Sequence, residues 1–218
     1  MSDIFHEVDE EVRREQLNKL WQRYGKYLVA LCVLFVAGVA AWRGYGWWEA
    51  KQAAISGAAF EQAAELAQAG KVQEAEAAFA KLASDGTPGY RVLAGMRQAA
   101  QLAHTDTKAA VAAYDRIAAD SSAGQAVQDL AAIRAALLLV DSASYADMRT
   151  RLEPLTAGDR VFRHSARELL ALSAWKSGDL AAAKQWTDLI VTDPQTPSGM
   201  RSRVEVLSQL ISAATAKG

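Results

Sequence analysis

The sequence predicts an all-α protein: a single N-terminal transmembrane helix, then a solenoid of helix pairs, then a helix that caps the stack. Three observations lead there. No residue between Tyr27 and Trp42 is charged. From Glu49 onward the chain is rich in alanine and leucine and lacks the sustained period-two alternation of half-buried strands. Turn signals in that second part recur at a fixed interval, the mark of stacked repeats.

Residues 1–26 form a charged leading segment. Within "HEVDEEVRREQLNKLWQRYG", helical spacing puts Val8, Val12, Leu20, Trp21 and Tyr24 near one side. Such a face suits a short helix lying on the membrane surface or docking to a partner; the alternative is a solvated extension of the helix that follows. Residues 27–48 are the span. A bilayer core takes about 20 predominantly apolar residues, and the stretch from Tyr27 to Trp48 supplies them if Arg43 snorkels to the headgroups. Tyr24, Tyr27, Trp42, Tyr45, Trp47 and Trp48 gather at its two edges, the depth that amphipathic rings prefer. Arg13, Arg14, Lys19, Arg23 and Lys26 precede the span and only Arg43 and Lys51 stand close on its far side. Basic flanks stay in the cytoplasm, so the N-terminus is expected inside. Gly38-Val39-Ala40 could serve as a small-residue cleavage site, but the long, acid-containing segment before it favours an uncleaved signal anchor.

Residues 49–218 are then a single domain beyond the membrane. With 24 Lys and Arg against 25 Asp and Glu in the chain, no basic excess points to nucleic acid. The one cysteine, Cys32, lies in the span, so the domain can form no disulfide. Thr87-Pro88 and Thr196-Pro197 read as helix starts, a capping hydroxyl followed by proline in the first turn. Turns fall at Ala69-Gly70, His104 to Asp106, Asp141-Ser142, Gly158-Asp159 and Gly178-Asp179. Of these, Gly70, Asp106, Ser142 and Gly178 are spaced by 36 residues. The residues before them keep the register. Seven upstream stand Ala63, Ala99, Ala135 and Ala171; four upstream, Leu66, Leu102, Leu138 and Ala174; eleven upstream, Ala59, Gly95, Ala131 and then Arg167. A small residue at one point of each first helix lets its partner approach, and the leucine one turn on fills the seam. Each second helix offers a large residue, Phe79, Tyr114, Leu152 or Trp186, followed three on by Leu82, Ile117, Leu155 or Leu189. The stretch from Ser198 to Ala214 has no partner after it and is expected to cap the stack, as a solenoid requires.

No catalytic chemistry emerges. His6, His104 and His164 are far apart and none has metal-ligand spacing. His164 and Glu168 have the spacing of a surface pair on a helix. Glu74 and Glu76 read as solvated helix surface. There is no phosphate loop, dinucleotide fingerprint or nucleophile elbow. No enzyme, catalytic residue, metal or cofactor is expected.

A helix-turn-helix unit of this length, with small and large positions in this order, Gly-Asp at Gly178 and Asp193-Pro194 closing the last unit, resembles a degenerate tetratricopeptide repeat. Taken with "VDEEVRREQLNKLWQRYG" and the "AWRGYGWW" patch that ends the span, the whole chain resembles the YfgM-like family of ancillary SecYEG translocon subunits. The resemblance implies an inner (cytoplasmic) membrane protein, single-pass, with its repeat domain in the periplasm. Its implied partners are the SecYEG translocon, the periplasmic chaperone PpiD and segments of exported proteins. In tetratricopeptide repeats the first helices form the concave face, which by turn register holds Phe60, Met96, Leu172 and Trp175. Adaptable and aromatic side chains there suit loose recognition of extended segments; the alternative for each is packing between helices. Glu168 and Lys176 would be rim charges. A different role for the same architecture is a scaffolding adaptor of another envelope complex, in division or outer-membrane assembly, with no chaperone activity.

Overall fold

The computed structural model describes residues 3–215, and the side chains of residue 18 and of residue 20 onward. Among these residues the chain forms nine α-helices and no strand. They are α1 (Asp3–Gln68), α2 (Val72–Asp85), α3 (Pro88–Leu102), α4 (Thr107–Ala119), α5 (Gln125–Leu139), α6 (Tyr145–Leu152), α7 (Arg163–Lys176), α8 (Leu180–Val191) and α9 (Ser198–Thr215), with 3₁₀ turns at Ser121–Ala123 and Glu153–Thr156. The chain divides into two units, Met1–Ala54 and Ile55–Gly218.

The first unit contains most of α1, which is long and apolar enough to cross a membrane. The consecutive residues Val33, Leu34, Phe35 and Val36 are all exposed. Four successive positions point to every side of a helix, so no face is sheltered in the way a core helix shelters its apolar stripe. The basic residues at the two ends lie over aromatic rings: Arg23 over Tyr24 at 5.8 Å, Lys26 over Tyr27 at 5.1 Å and Lys51 over Trp47 at 5.3 Å. The helix has no break at Trp48. Gly44 and Gly46 precede it without interrupting the helix, no proline follows within α1, and the first helix of the repeats is the continuation of α1 to Gln68. The leading segment is likewise the same helix from Asp3 onward; the side chains of Val8, Val12, Arg13, Arg14 and Lys19 lie outside the described residues.

In the second unit the end of α1 pairs with α2, α3 with α4, α5 with α6 and α7 with α8, and α9 closes the series. The 36-residue register holds at the level of packing: Ala63, Ala99, Ala135 and Ala171 are all completely buried. Three hydrophobic clusters follow the stack. Ala63, Ala75, Phe79, Leu82 and Ala94 form the first. Ala99, Ala113, Tyr114, Ala131 and Ala135 form the second. The third and largest is built around Met148, Leu152, Leu170 and Trp186 and reaches Leu207 and Ile211 of α9. Leu189 departs from the pattern of large residues, being 41% exposed on α8.

The turns differ in mechanism. Gly70 (φ 74°) and Gly178 (φ 81°) adopt the left-handed conformation. Each donates its N–H to the carbonyl three residues back, while Lys71 and Asp179 donate to Leu66 and Ala174. This is the paired bonding of a Schellman end, in which glycine avoids a Cβ clash. Asp106, Ser144 and Asp179 then cap α4, α6 and α8 by accepting from Ala109, Asp147 and Ala182. The two threonines expected to cap do not. Thr87 makes no side-chain cap, and its own N–H donates to Ser56 Oγ at 3.2 Å. The Thr196 hydroxyl is buried and donates to the carbonyl of Ile190 at 2.6 Å, tying the α8–α9 connection to the end of α8.

Candidate protein-interaction surface

Of the four positions read from turn register, Phe60, Met96 and Leu172 pack on three successive clusters, and Trp175 stands outside them. Phe60 is half-buried, its ring centroid 5.4 Å from that of Phe79 in edge-on geometry and 6.0 Å from that of Tyr90. Met96 packs against the second cluster and Leu172 against the third. Trp175, at the end of α7, is the most open, with 37% of its surface exposed. Beside it Lys176 Nζ donates to Asp141 Oδ1 at 2.5 Å and so joins α7 to the turn after α5. Glu168 is bound by both ends of the Arg203 guanidinium, at 3.1 and 3.0 Å, joining α7 to α9.

These pairs belong to a set of polar staples between successive repeats. Arg151 of α6 holds Asp115 of α4 through both carboxylate oxygens. Arg160 reaches the buried Asp129 of α5 at 2.9 Å. Trp186 Nε1 of α8 donates to the Tyr145 hydroxyl of α6 at 2.9 Å. The partners are separated by about one repeat in sequence, so no local pattern announces them.

The densest polar site centres on Asp193. Its Oδ2 accepts from Arg163 Nε (3.2 Å), His164 Nε2 (3.0 Å) and Arg167 (3.2 Å), and its Oδ1 accepts from the Gln195 N–H at 2.9 Å. The backbone bond from Gln195, then those from His164 and Arg163, hold this carboxyl well below the usual carboxylate range. An ionised carboxylate only accepts, so Nε2 of His164 carries the proton. His164 is therefore no surface partner of Glu168; it is buried beneath Asp193, while Glu168 turns to Arg203. Arg167 occupies the column that is small in the earlier repeats, and its guanidinium also donates to the carbonyls of Thr156 and Leu189.

A cleft of about 970 Å³ opens between α3, α4 and the start of α5. Val92, Leu93, Ile117 and Val127 supply apolar wall, and Arg91 and Arg116 stand along it. None of the four register positions lines it. Its signal was absent from the sequence because it depends on which cations lack partners after folding.

A stack of paired helices with small residues at the crossings is also what family comparison finds: residues 18–185 match the family of tetratricopeptide repeat-like domains. The chain belongs to that family. The tetratricopeptide repeat-like region begins within α1 and ends in α8, so Asp193 and the capping helix α9 lie beyond the matched residues. No curated protein and no solved structure gives a significant match. Tetratricopeptide repeat-like folds typically serve as scaffolds for protein interaction, and the extended faces of such stacks suit that use.

Proposed function

We propose that this chain is a single-pass protein of the inner membrane, N-terminus cytoplasmic, whose residues 49–218 present a protein-binding repeat surface in the periplasm. In this reading it acts by binding and not by catalysis. It is an ancillary subunit of the SecYEG translocon, of the YfgM-like kind, that works with PpiD on newly exported segments. The observation that carries the reading is the unbroken α1: a helix bare and apolar over the length of a bilayer continues directly into the first helix of a tetratricopeptide repeat-like domain. In this reading the repeats are covalently anchored to the membrane across which exported chains pass. Trp175 is the preferred contact, because its ring is open where Phe60, Met96 and Leu172 are largely engaged with neighbouring helices.

The test is crosslinking in living cells from photoreactive residues placed in the span and at Trp175, followed by purification in mild detergent. Translocon and chaperone components should be recovered from both positions. Recovery of neither would sink the assignment. Recovery of a single stoichiometric folded partner from another envelope complex would instead select the adaptor role.

A further inference from the structure

The cations of the repeat unit are unevenly partnered. From α6 to α9 every described arginine and lysine is engaged, in an ion pair or, for Arg201, on the carbonyls of Val191 and Asp193. Between α3 and α5 the reverse holds. Among the described residues Arg91, Arg97, Lys108, Arg116 and Arg134 make no ion pair. Of the acids in the same stretch, Asp115 and Asp129 are neutralised by Arg151 and Arg160, whereas Asp106 and Asp120 cap backbone N–H groups and keep their charge, leaving five cations against two carboxylates. The middle of the stack thus carries a local positive excess in a chain of nearly neutral net charge.

Two of these unpaired cations, Arg91 and Arg116, line the 970 Å³ cleft. Between them lie apolar side chains, including Leu93, which is 53% exposed. Asp120 also lines the cleft and is held ionised by the hydroxyl and N–H of Ser122, at 2.7 and 2.9 Å, and by the nearby charge of Arg91, so the lining sets two cations against one carboxylate and remains net positive. The small Gly95 sets the depth: a Cβ there would touch Ile117 at 3.4 Å. The volume is in the range of ligand-binding clefts. Its apolar wall can take up alternate side chains of an extended chain, while the two arginines offer charge-assisted bonds to carboxylates between them.

We propose that this cleft binds an extended protein segment in which apolar side chains alternate with carboxylates. The inference rests on the reading of the domain as a protein-binding surface, and it supplies the chemistry of the partner and a location apart from Trp175. A basic segment is disfavoured by the arginines, and a purely polar acidic one leaves the apolar wall unfilled.

The experiment uses full-length protein in lipid nanodiscs, titrated by fluorescence anisotropy with a labelled peptide that alternates leucine and glutamate. Peptides alternating leucine with lysine and serine with glutamate serve as comparators. The leucine–glutamate peptide should bind saturably, and each comparator about tenfold or more weakly. Arg91→Glu combined with Arg116→Glu should cost about tenfold in affinity and flatten the dependence on salt. Gly89→Trp should block binding, because Gly89 lines the cleft, is exposed, and would have nothing within 4 Å of an added Cβ. Arg134→Glu, away from the cleft lining, should cost far less than reversal of the two lining arginines. Helical melting curves check folding, and Arg91→Gln with Arg116→Gln repeats the charge test more gently. Equal binding of the leucine–lysine peptide, or full binding by both the charge variant and Gly89→Trp, overturns the proposal, as does no binding of the leucine–glutamate peptide. Partner crosslinking at Trp175 that survives such a result leaves the wider protein-binding reading standing; loss of both removes it.

Discussion

Arg167 stands where three earlier repeats place Ala59, Gly95 and Ala131, and its surroundings explain the exception. Its guanidinium reaches Thr156, Leu189 and Asp193, so at the end of the stack this position carries a polar strut. Asp193 is the shared acceptor, and its depressed pKa makes a signed prediction. A carboxyl more acidic folded than unfolded contributes stability above its ordinary pKa of about 4, and that contribution disappears as pH falls below this toward the folded value. Asp193→Asn should therefore lower Tm at neutral pH and flatten its fall in acid, read from thermal melts between neutral pH and about pH 3. A wild-type acid limb retained in the variant would assign that limb elsewhere. Gly178 makes a second residue-scale case. At φ 81° a side chain costs about 1–2 kcal/mol, so Gly178→Ala should lower stability by about that amount in urea denaturation. The same substitution at Gly89, whose φ is not left-handed and whose Cβ site is open, should cost far less.

At the scale of elements, what the sequence revealed was what repeats within it. The alanine column at Ala63, Ala99, Ala135 and Ala171 is wholly buried because each position is a helix crossing, where only a small side chain admits the partner. The turns were legible for the same reason, since glycine and aspartate announce helix ends and starts locally. What could not be read was the choice among partners for a polar side chain. Thr87 and Thr196 have the composition of caps, yet Thr87 leaves its hydroxyl unused and Thr196 bonds back to Ile190. His164 lies one turn from Glu168, yet Asp193, distant in sequence, outcompetes it. Burial of the register positions was not legible either: Phe60, Met96 and Leu172 are each half-buried against successive clusters of the stack, while Trp175 is open. The second helices are joined by one such unannounced bond, from Trp186 to Tyr145. Tyr145→Phe removes the acceptor and strands a largely buried indole N–H, which should cost about 1–3 kcal/mol. Hydrogen exchange should show the loss of protection concentrated in α6 and α8, with α2 and α3 little changed, because a stack of repeats couples mainly neighbour to neighbour.

For the whole molecule the decisive property is that α1 serves both units: bare and apolar in the first, and packed through Ala63 against Phe79 and Ala75 in the second. Leaving residues such as Leu34 and Phe35 in water would forfeit about 25 cal/mol for each Å² of apolar surface, a loss that lipid removes. The basic residues before the span outnumber those close after it, a bias expected to hold the N-terminus in the cytoplasm. Cys32, the sole thiol, lies within the apolar stretch and reports on it directly. In intact membranes a membrane-impermeant maleimide should fail to label Cys32, and should label it once detergent or denaturant removes the bilayer. With Cys32→Ser as background, single cysteines at the exposed positions Asn18 and Ala119 extend the test to orientation. Ala119→Cys should react from the outside of spheroplasts, whereas Asn18→Cys should react only after lysis. Reaction of both before lysis would mean that the helix does not cross, and reaction of Asn18→Cys alone would invert the topology and place the repeats in the cytoplasm, away from any exported chain.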